Sequence, residues 1–227
     1  MIADASNFVG MVDSTFFILV AICVFFLVLI TTLMIVFVVK YSRKKNPKAT
    51  NIHGSVPLEI TWTVIPTLIV LVMFWLGWTG YVQMATPPKD AMVVDVYAQM
   101  WKWSFKYSNG KEADSLYLPV NKPVLFNLHS KDVDHSFFVP AFKIKKDVIP
   151  NRTNHEWFKP EQTGVYDIFC AEYCGLRHSY MLSKVVVMPM NDFLAWANKG
   201  VQVTDSLEVL KSTKTVINNQ PQFPLKY

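Results

Sequence analysis

The residues best able to do chemistry lie in one short stretch, Cys170-Ala-Glu172-Tyr-Cys174-Gly-Leu-Arg-His178-Ser-Tyr-Met181. Thiolate, imidazole and thioether are soft donors, and together they suit copper. A mononuclear blue-copper site uses one Cys, two His and a weak axial Met. This loop offers two cysteines, and two thiolates can each bridge two metals, which suggests a dinuclear centre. A second imidazole must then come from elsewhere. His135, in Asp132-Val-Asp-His135-Ser-Phe-Phe, is the best candidate because it opens a strand-like apolar run. His129 and His155 lack such a setting and read as surface or packing residues. Two other readings of the loop stand beside copper. An oxidising compartment would allow a Cys170–Cys174 disulfide, and the two cysteines with His178 and His135 would suit a structural zinc. Neither accounts well for Met181, since a thioether is a poor zinc ligand.

A loop of this kind needs a stiff scaffold, and the pattern around it is that of short strands. Val93 to Ala98 is rich in β-formers. Trp101 to Tyr107 and Val124 to Leu128 alternate large apolar with polar side chains, and Gly164 to Cys170 and Leu182 to Met188 complete the set. Short strands separated by Pro, Gly and Asn predict an all-β sandwich or barrel. A helix is expected at about 191–198, where Phe193, Leu194 and Trp196 could dock back onto the domain, followed by a polar tail. Three cysteines, one of them Cys23 in an apolar run, are too few for a disulfide framework.

Upstream, Phe16 to Val39 is a predominantly apolar run of 24 residues without a charged side chain, long enough to cross a hydrocarbon core of about 30 Å. A second run extends from about Val56 to Met84, and Glu59 near its start is its one charged residue. Lys40, Arg43, Lys44, Lys45 and Lys48 cluster at and just after the end of the first run. They account for the whole net charge of +5, so the basic balance argues for no nucleic-acid partner. The positive-inside rule places this loop on the cytoplasmic side, and everything after about Ala85 outside. Trp75, Trp78 and Tyr81 then fall where an outer aromatic belt is expected. A carboxylate in a membrane segment is a functional hypothesis by default. Glu59, at the cytoplasmic end of its helix, reads equally as a proton-uptake group or as an interfacial residue. The chain divides into a two-helix anchor at 1–86, an outer domain at 87–190, and a C-terminal helix and tail at 191–227.

With these residues in view, the chain resembles subunit II of the haem–copper cytochrome c oxidases. The resemblance rests on Glu59-Ile-Thr-Trp62-Thr-Val-Ile-Pro66, Trp101-Lys-Trp103-Ser-Phe, Asp132-Val-Asp-His135-Ser and the Cys170 to Met181 loop. It implies two transmembrane helices forming a hairpin, followed by a cupredoxin-like Greek-key barrel that holds the mixed-valence dinuclear copper site called CuA. Cys170 and Cys174 would bridge the coppers. His135 and Met181 would complete one, and His178 and the Glu172 carbonyl the other. The Glu172 side chain would help bind Mg2+ at the interface with subunit I. Trp101 would receive electrons from cytochrome c, and Glu59 would stand at the mouth of a proton-uptake path.

The resemblance further implies an oxidoreductase complex in which this chain accepts electrons but is not catalytic alone; subunit I reduces oxygen to water with proton pumping. The copper subunit of a nitric oxide reductase and a copper-storage or delivery protein are the alternatives. No Cys-x-x-Cys-His is present, so no covalent haem is expected. The segment between Trp103 and Val124 is short. Lys102 just before it and Lys106, Lys111 and Lys122 within it are mixed with Glu112 and Asp114, where mitochondrial members carry a longer acidic stretch. This favours a bacterial cytoplasmic membrane over a mitochondrial one, and a donor cytochrome that is not strongly basic.

Overall fold

The computed structural model describes residues 5–48, 50–51 and 53–199. Two long helices come first, α1 at Val9–Lys40 and α2 at Val56–Ala85. Neither has a buried apolar stripe, and the hydropathic core of each lies wholly on the surface, as expected of helices solvated by lipid. At a rise of about 1.5 Å per residue each exceeds the hydrocarbon thickness. Trp75, Trp78 and Tyr81 are exposed toward the outer end of α2. Near that end Gly80 faces Met11 of α1, so the outer ends of the two helices meet.

Ten strands follow: β1 (Met92–Gln99), β2 (Lys102–Tyr107), β3 (Glu112–Ala113), β4 (Leu116–Pro119), β5 (Val124–Ser130), β6 (His135–Val139), β7 (Ile144–Val148), β8 (Asn154–Phe158), β9 (Gly164–Cys170) and β10 (Leu182–Met188). They form two sheets, ordered β3-β2-β1-β5-β8 and β4-β10-β9-β6-β7. The sheets enclose one apolar core, the cupredoxin-like sandwich that the sequence predicts. Period-two alternation decides which side chains enter it. In β1, Val94, Val96 and Ala98 are buried while Asp95, Tyr97 and Gln99 face outward. A last helix, α3 (Met190–Asn198), returns Phe193 and Trp196 onto Tyr107. The polar tail expected after residue 200 lies outside the described residues.

Four strands had no signal in the sequence. β3 has only two residues and β4 only four. β7 carries Lys145, Lys146 and Asp147 in succession, all exposed. β8 hides its pattern because Glu156, a charged residue, occupies an inward position.

Candidate metal centre

Three segments converge at one end of the sandwich. His135 opens β6, Cys170 closes β9, and the loop between β9 and β10 carries the other candidates. The alternation of β9 sends Cys170 inward beside His135; residues 170 and 137 are cross-strand partners. The loop then doubles back through a 3-10 turn at His178–Tyr180, which brings His178 and Met181 to Cys174.

The two cysteine sulfurs are unbonded, 3.7 Å apart and buried. His135 Nδ1 lies 3.7 Å from Cys170 Sγ, and His178 Nδ1 lies 3.5 Å from Cys174 Sγ. Met181 Sδ is 3.8 Å from Cys174 Sγ, and Met181 is fully buried. The carbonyl oxygen of Glu172 is 3.3 Å from Cys170 Sγ. The donor atoms of His135, Cys170 and Cys174 lie within 4.8 Å of one another, the one such cluster among the described residues. Thioether, imidazoles and a paired thiol around one small volume fit copper, and Met181 has no use in a zinc site. The separate sulfurs leave both thiols available as ligands.

Asp132 organises this cluster, a role the sequence reading did not assign. Its Oδ1 accepts the His135 Nε2–H at 2.8 Å, which leaves the Nδ1 lone pair directed toward Cys170. Its Oδ2 accepts the Met100 N–H at 2.6 Å. Desolvation pushes the Asp132 carboxyl up, but the Met100 N–H, the His135 ring and the Val133 N–H together hold it below the usual range. The only signal was an acid three residues before a candidate ligand, which fits a carboxylate–histidine pair. Burial pushes the His135 pKa down, and contact with Cys170 and Asp132 raises it above the ordinary value. The two thiols are split. Burial raises both, yet His135 and backbone contacts bring Cys170 below a normal thiol, while desolvation and the neighbouring Cys170 hold Cys174 above one.

Trp101 covers the loop. Its indole N–H donates to the carbonyl oxygen of Cys174 at 3.1 Å. Gly175, at φ +110°, lets the loop pass beneath the ring, where a Cβ would sit 3.4 Å from Trp101 Cζ2. A left-handed φ and that close approach both favour glycine. Glu172 is exposed. Glu59 lies far from this end, in the first turn of α2; its carboxylate folds back over Gly54. His129 and His155 stand on the outer face of the first sheet. His129 contacts Thr153 at 3.3 Å, and His155 contacts Asn127 at 2.9 Å.

Fold and site together define a membrane protein with an external β-sandwich that carries a copper-type ligand cluster. Residues 110–189 match the family described as cytochrome c oxidase subunit II, periplasmic domain. Residues 2–76 match that subunit's transmembrane domain. The cytochrome c oxidase subunit 2 of Alkalihalophilus pseudofirmus is 36% identical over 219 residues, covering 90% of this chain and 62% of that protein. This chain thus spans less than two thirds of that relative. The alternative cytochrome c oxidase subunit 2 of Bradyrhizobium diazoefficiens is 30% identical over 219 residues, covering 82% of this chain and 79% of that protein. A crystal structure of the periplasmic domain of subunit II of cytochrome oxidase from Bradyrhizobium japonicum aligns with 27% identity and a TM-score of 0.47, covering 57% of this chain and 99% of that one. The chain belongs to the cytochrome c oxidase subunit II family.

Proposed function

We propose that this chain is the electron-accepting subunit of a haem–copper cytochrome c oxidase, with a dinuclear CuA centre at the Cys170–Cys174 pair. The observation that carries this is the paired, unbonded thiols ringed by two imidazole nitrogens, a thioether and a carbonyl oxygen. Cys170 and Cys174 would be held in common by the two coppers, with His135 and Met181 supplying further donors on one side and His178 and the Glu172 carbonyl on the other. When bound, the copper pair supplies a one-electron store whose charge is spread over two metals, so bond lengths change little on reduction. The chain's own contribution is rigidity. His135 is fixed by Asp132, and the loop is fixed by the packed ends of β6 and β9, which limits rearrangement around the ligands.

Trp101 receives electrons from the donor cytochrome, its ring standing over the loop and bonded to the Cys174 carbonyl. The haems of subunit I would take the electrons onward and would supply the chemistry that reduces oxygen to water, coupled to proton pumping. The exposed Glu172 carboxylate would help hold an Mg2+ ion at the interface with subunit I. Glu59, at the cytoplasmic end of α2, stands at the mouth of a proton-uptake path. The basic loop after α1 supports an orientation with the sandwich on the outer side of a bacterial cytoplasmic membrane.

The test is purification of the intact complex. Expected are two coppers per copy of this chain sharing one unpaired electron, copurifying haem-bearing subunit I, and oxygen consumption driven by reduced cytochrome c. Cys170→Ser or Cys174→Ser abolishes the shared-electron signal. One copper per chain, or zinc after copper reconstitution, overturns the dinuclear centre. Nitric oxide consumption in place of oxygen points to a reductase, and labile copper with no transfer from a reduced cytochrome points to a storage protein.

A further inference from the structure

The residues just before α1 do not simply trail from it. Ala5, Ser6, Phe8 and Val9 are buried. They lie against the segment that follows β8, where Ser6 and Pro160 form an antiparallel bridge. The Asn7 N–H donates to the Lys159 carbonyl at 3.2 Å and the Glu161 N–H to the Ala5 carbonyl at 2.9 Å. The Asn7 side chain accepts the Lys159 N–H at 2.8 Å. The Ser6 hydroxyl donates to the Phe142 carbonyl at 2.9 Å and accepts the Phe8 N–H at 3.3 Å.

These contacts close a truss. Phe8 packs edge-on against Trp157 with ring centroids 4.9 Å apart, and the Trp157 indole N–H reaches the Gln83 carbonyl in the last turn of α2 at 3.3 Å. Asp13, one turn into α1, pairs with Lys143 at 2.9 Å. The sandwich is therefore joined to the helix pair at several points: the strap leading into α1, the Asp13–Lys143 pair, the Trp157–Gln83 bond and the 86–91 link after α2. A domain hung from one short link would swivel; one held at several non-collinear points does not. Inside the sandwich an aromatic column continues from this end to the metal end. It runs from Phe142 to Phe158 at 4.6 Å, Phe126 at 4.9 Å, Phe137 at 5.8 Å, Trp103 at 5.6 Å and His135 at 6.2 Å between centroids. Close-packed interiors transmit displacement and do not absorb it.

We propose that Ala5 to Phe8 form a strap that fixes the angle and height of the metal-bearing sandwich over the two membrane helices, with Ser6 and Phe8 as positioning residues. Phe8 supplies the packed wedge against Trp157; Ser6 ties the strap to the turn before β7. In the proposed electron-accepting role, and resting on that reading, the strap sets where the copper loop sits relative to the membrane partner.

The experiment needs no metal, so its outcome is separate from that of the copper assignment. The full chain in lipid nanodiscs carries Cys170→Ser and Cys174→Ser, leaving Cys23 of α1 as the remaining native thiol. Arg152→Cys adds a second, on the exposed turn between β7 and β8. Nitroxides on the two thiols report the helix-to-sandwich distance by double electron–electron resonance. The starting chain should give one narrow distribution. Ser6→Ala and Phe8→Ala should shift and broaden it while tryptophan fluorescence shows the sandwich folded, and Phe8→Leu should restore it. Should Phe8→Ala unfold the sandwich, Ser6→Ala decides. An unchanged distribution in the folded variants overturns the proposal.

Discussion

The Trp101 indole nitrogen donates to the main-chain carbonyl of Cys174 at 3.1 Å, across 73 residues of sequence. A partly exposed ring that touches the metal loop's backbone can conduct to the loop without ligating anything. Trp101→Phe removes the N–H and keeps most of the ring. The expected result is electron uptake from the donor about tenfold slower, equivalent to roughly 1.4 kcal/mol in the barrier, with a nearly unchanged copper spectrum. Stopped-flow oxidation of reduced cytochrome by the intact complex reads it. Uptake at the unmodified rate would reduce Trp101 to a cover for the loop.

Asp132 holds His135 and Met100 at once, through Oδ1 at 2.8 Å and Oδ2 at 2.6 Å. Replacing it by Ala frees the imidazole to rotate and removes the acceptor for the Met100 N–H. Loss of such an orienting carboxylate costs metal affinity about 10–100-fold. Copper retention against a competing chelator should fall by that order in Asp132→Ala and by less in Asp132→Asn. Equal retention in all three would assign Asp132 to loop structure alone.

That these side chains cluster was legible because they are close in sequence: Cys170, Cys174, His178 and Met181 lie on one short loop. His135 was found through the apolar run it opens. Asp132 gripping Met100 was not legible, because it joins the loops that follow β1 and β5, and their proximity depends on those two strands pairing in parallel with Ala98 opposite Ser130. The strap at residues 5–8 was hidden for the same reason. Ser6 and Phe8 have no periodicity of their own, and their partners at 142, 157 and 160 lie far along the chain. β8 was missed because alternation fails where a carboxylate takes an inward place, and that carboxylate has a consequence of its own.

Glu156 is buried on β8 and accepts the Trp157 N–H at 3.2 Å. Burial pushes its carboxyl up to about 7 from an ordinary 4.5, with the Trp157 N–H and Lys146 pulling the other way. Between those values the folded chain keeps a proton that the unfolded chain has released. Stability therefore falls as pH rises from about 4.5 to about 7 and then levels, a cost on the order of 3 kcal/mol for a shift of this size. Glu156→Gln should be markedly more stable than the parent at pH 8 and close to it at pH 5. Thermal unfolding of the detergent-solubilised chain at the two pH values measures this; a constant difference between them would contradict the buried-acid assignment.

In the proposed role, the surface around Trp101 is the one a donor would meet. Met100, Val133 and Leu176 are exposed there, Leu176 at 89%. Three loops bring them together, because Asp132 binds the Met100 N–H and Gly175 lies against Trp101 and Met100. Lys102, Lys131 and Arg177 are exposed on these segments, against the carboxylates of Asp134 and Glu172. Asp132 spends its charge inward on His135, and Asp167 is paired with Lys184. From Ala85 onward the chain carries 17 Lys and Arg against 14 Asp and Glu. An apolar patch with cations at its rim repels a strongly basic partner, and rim charges act chiefly on the association rate. For the proposed electron-accepting role, the expected donor is accordingly a neutral or acidic cytochrome, or one held by another subunit. Oxidation of a strongly basic cytochrome c by the intact complex should be slow at low ionic strength and unchanged or faster as salt screens the repulsion. Lys131→Glu should speed it. A fast reaction that added salt slows steeply would show attraction governing the encounter and would overturn this reading of the surface.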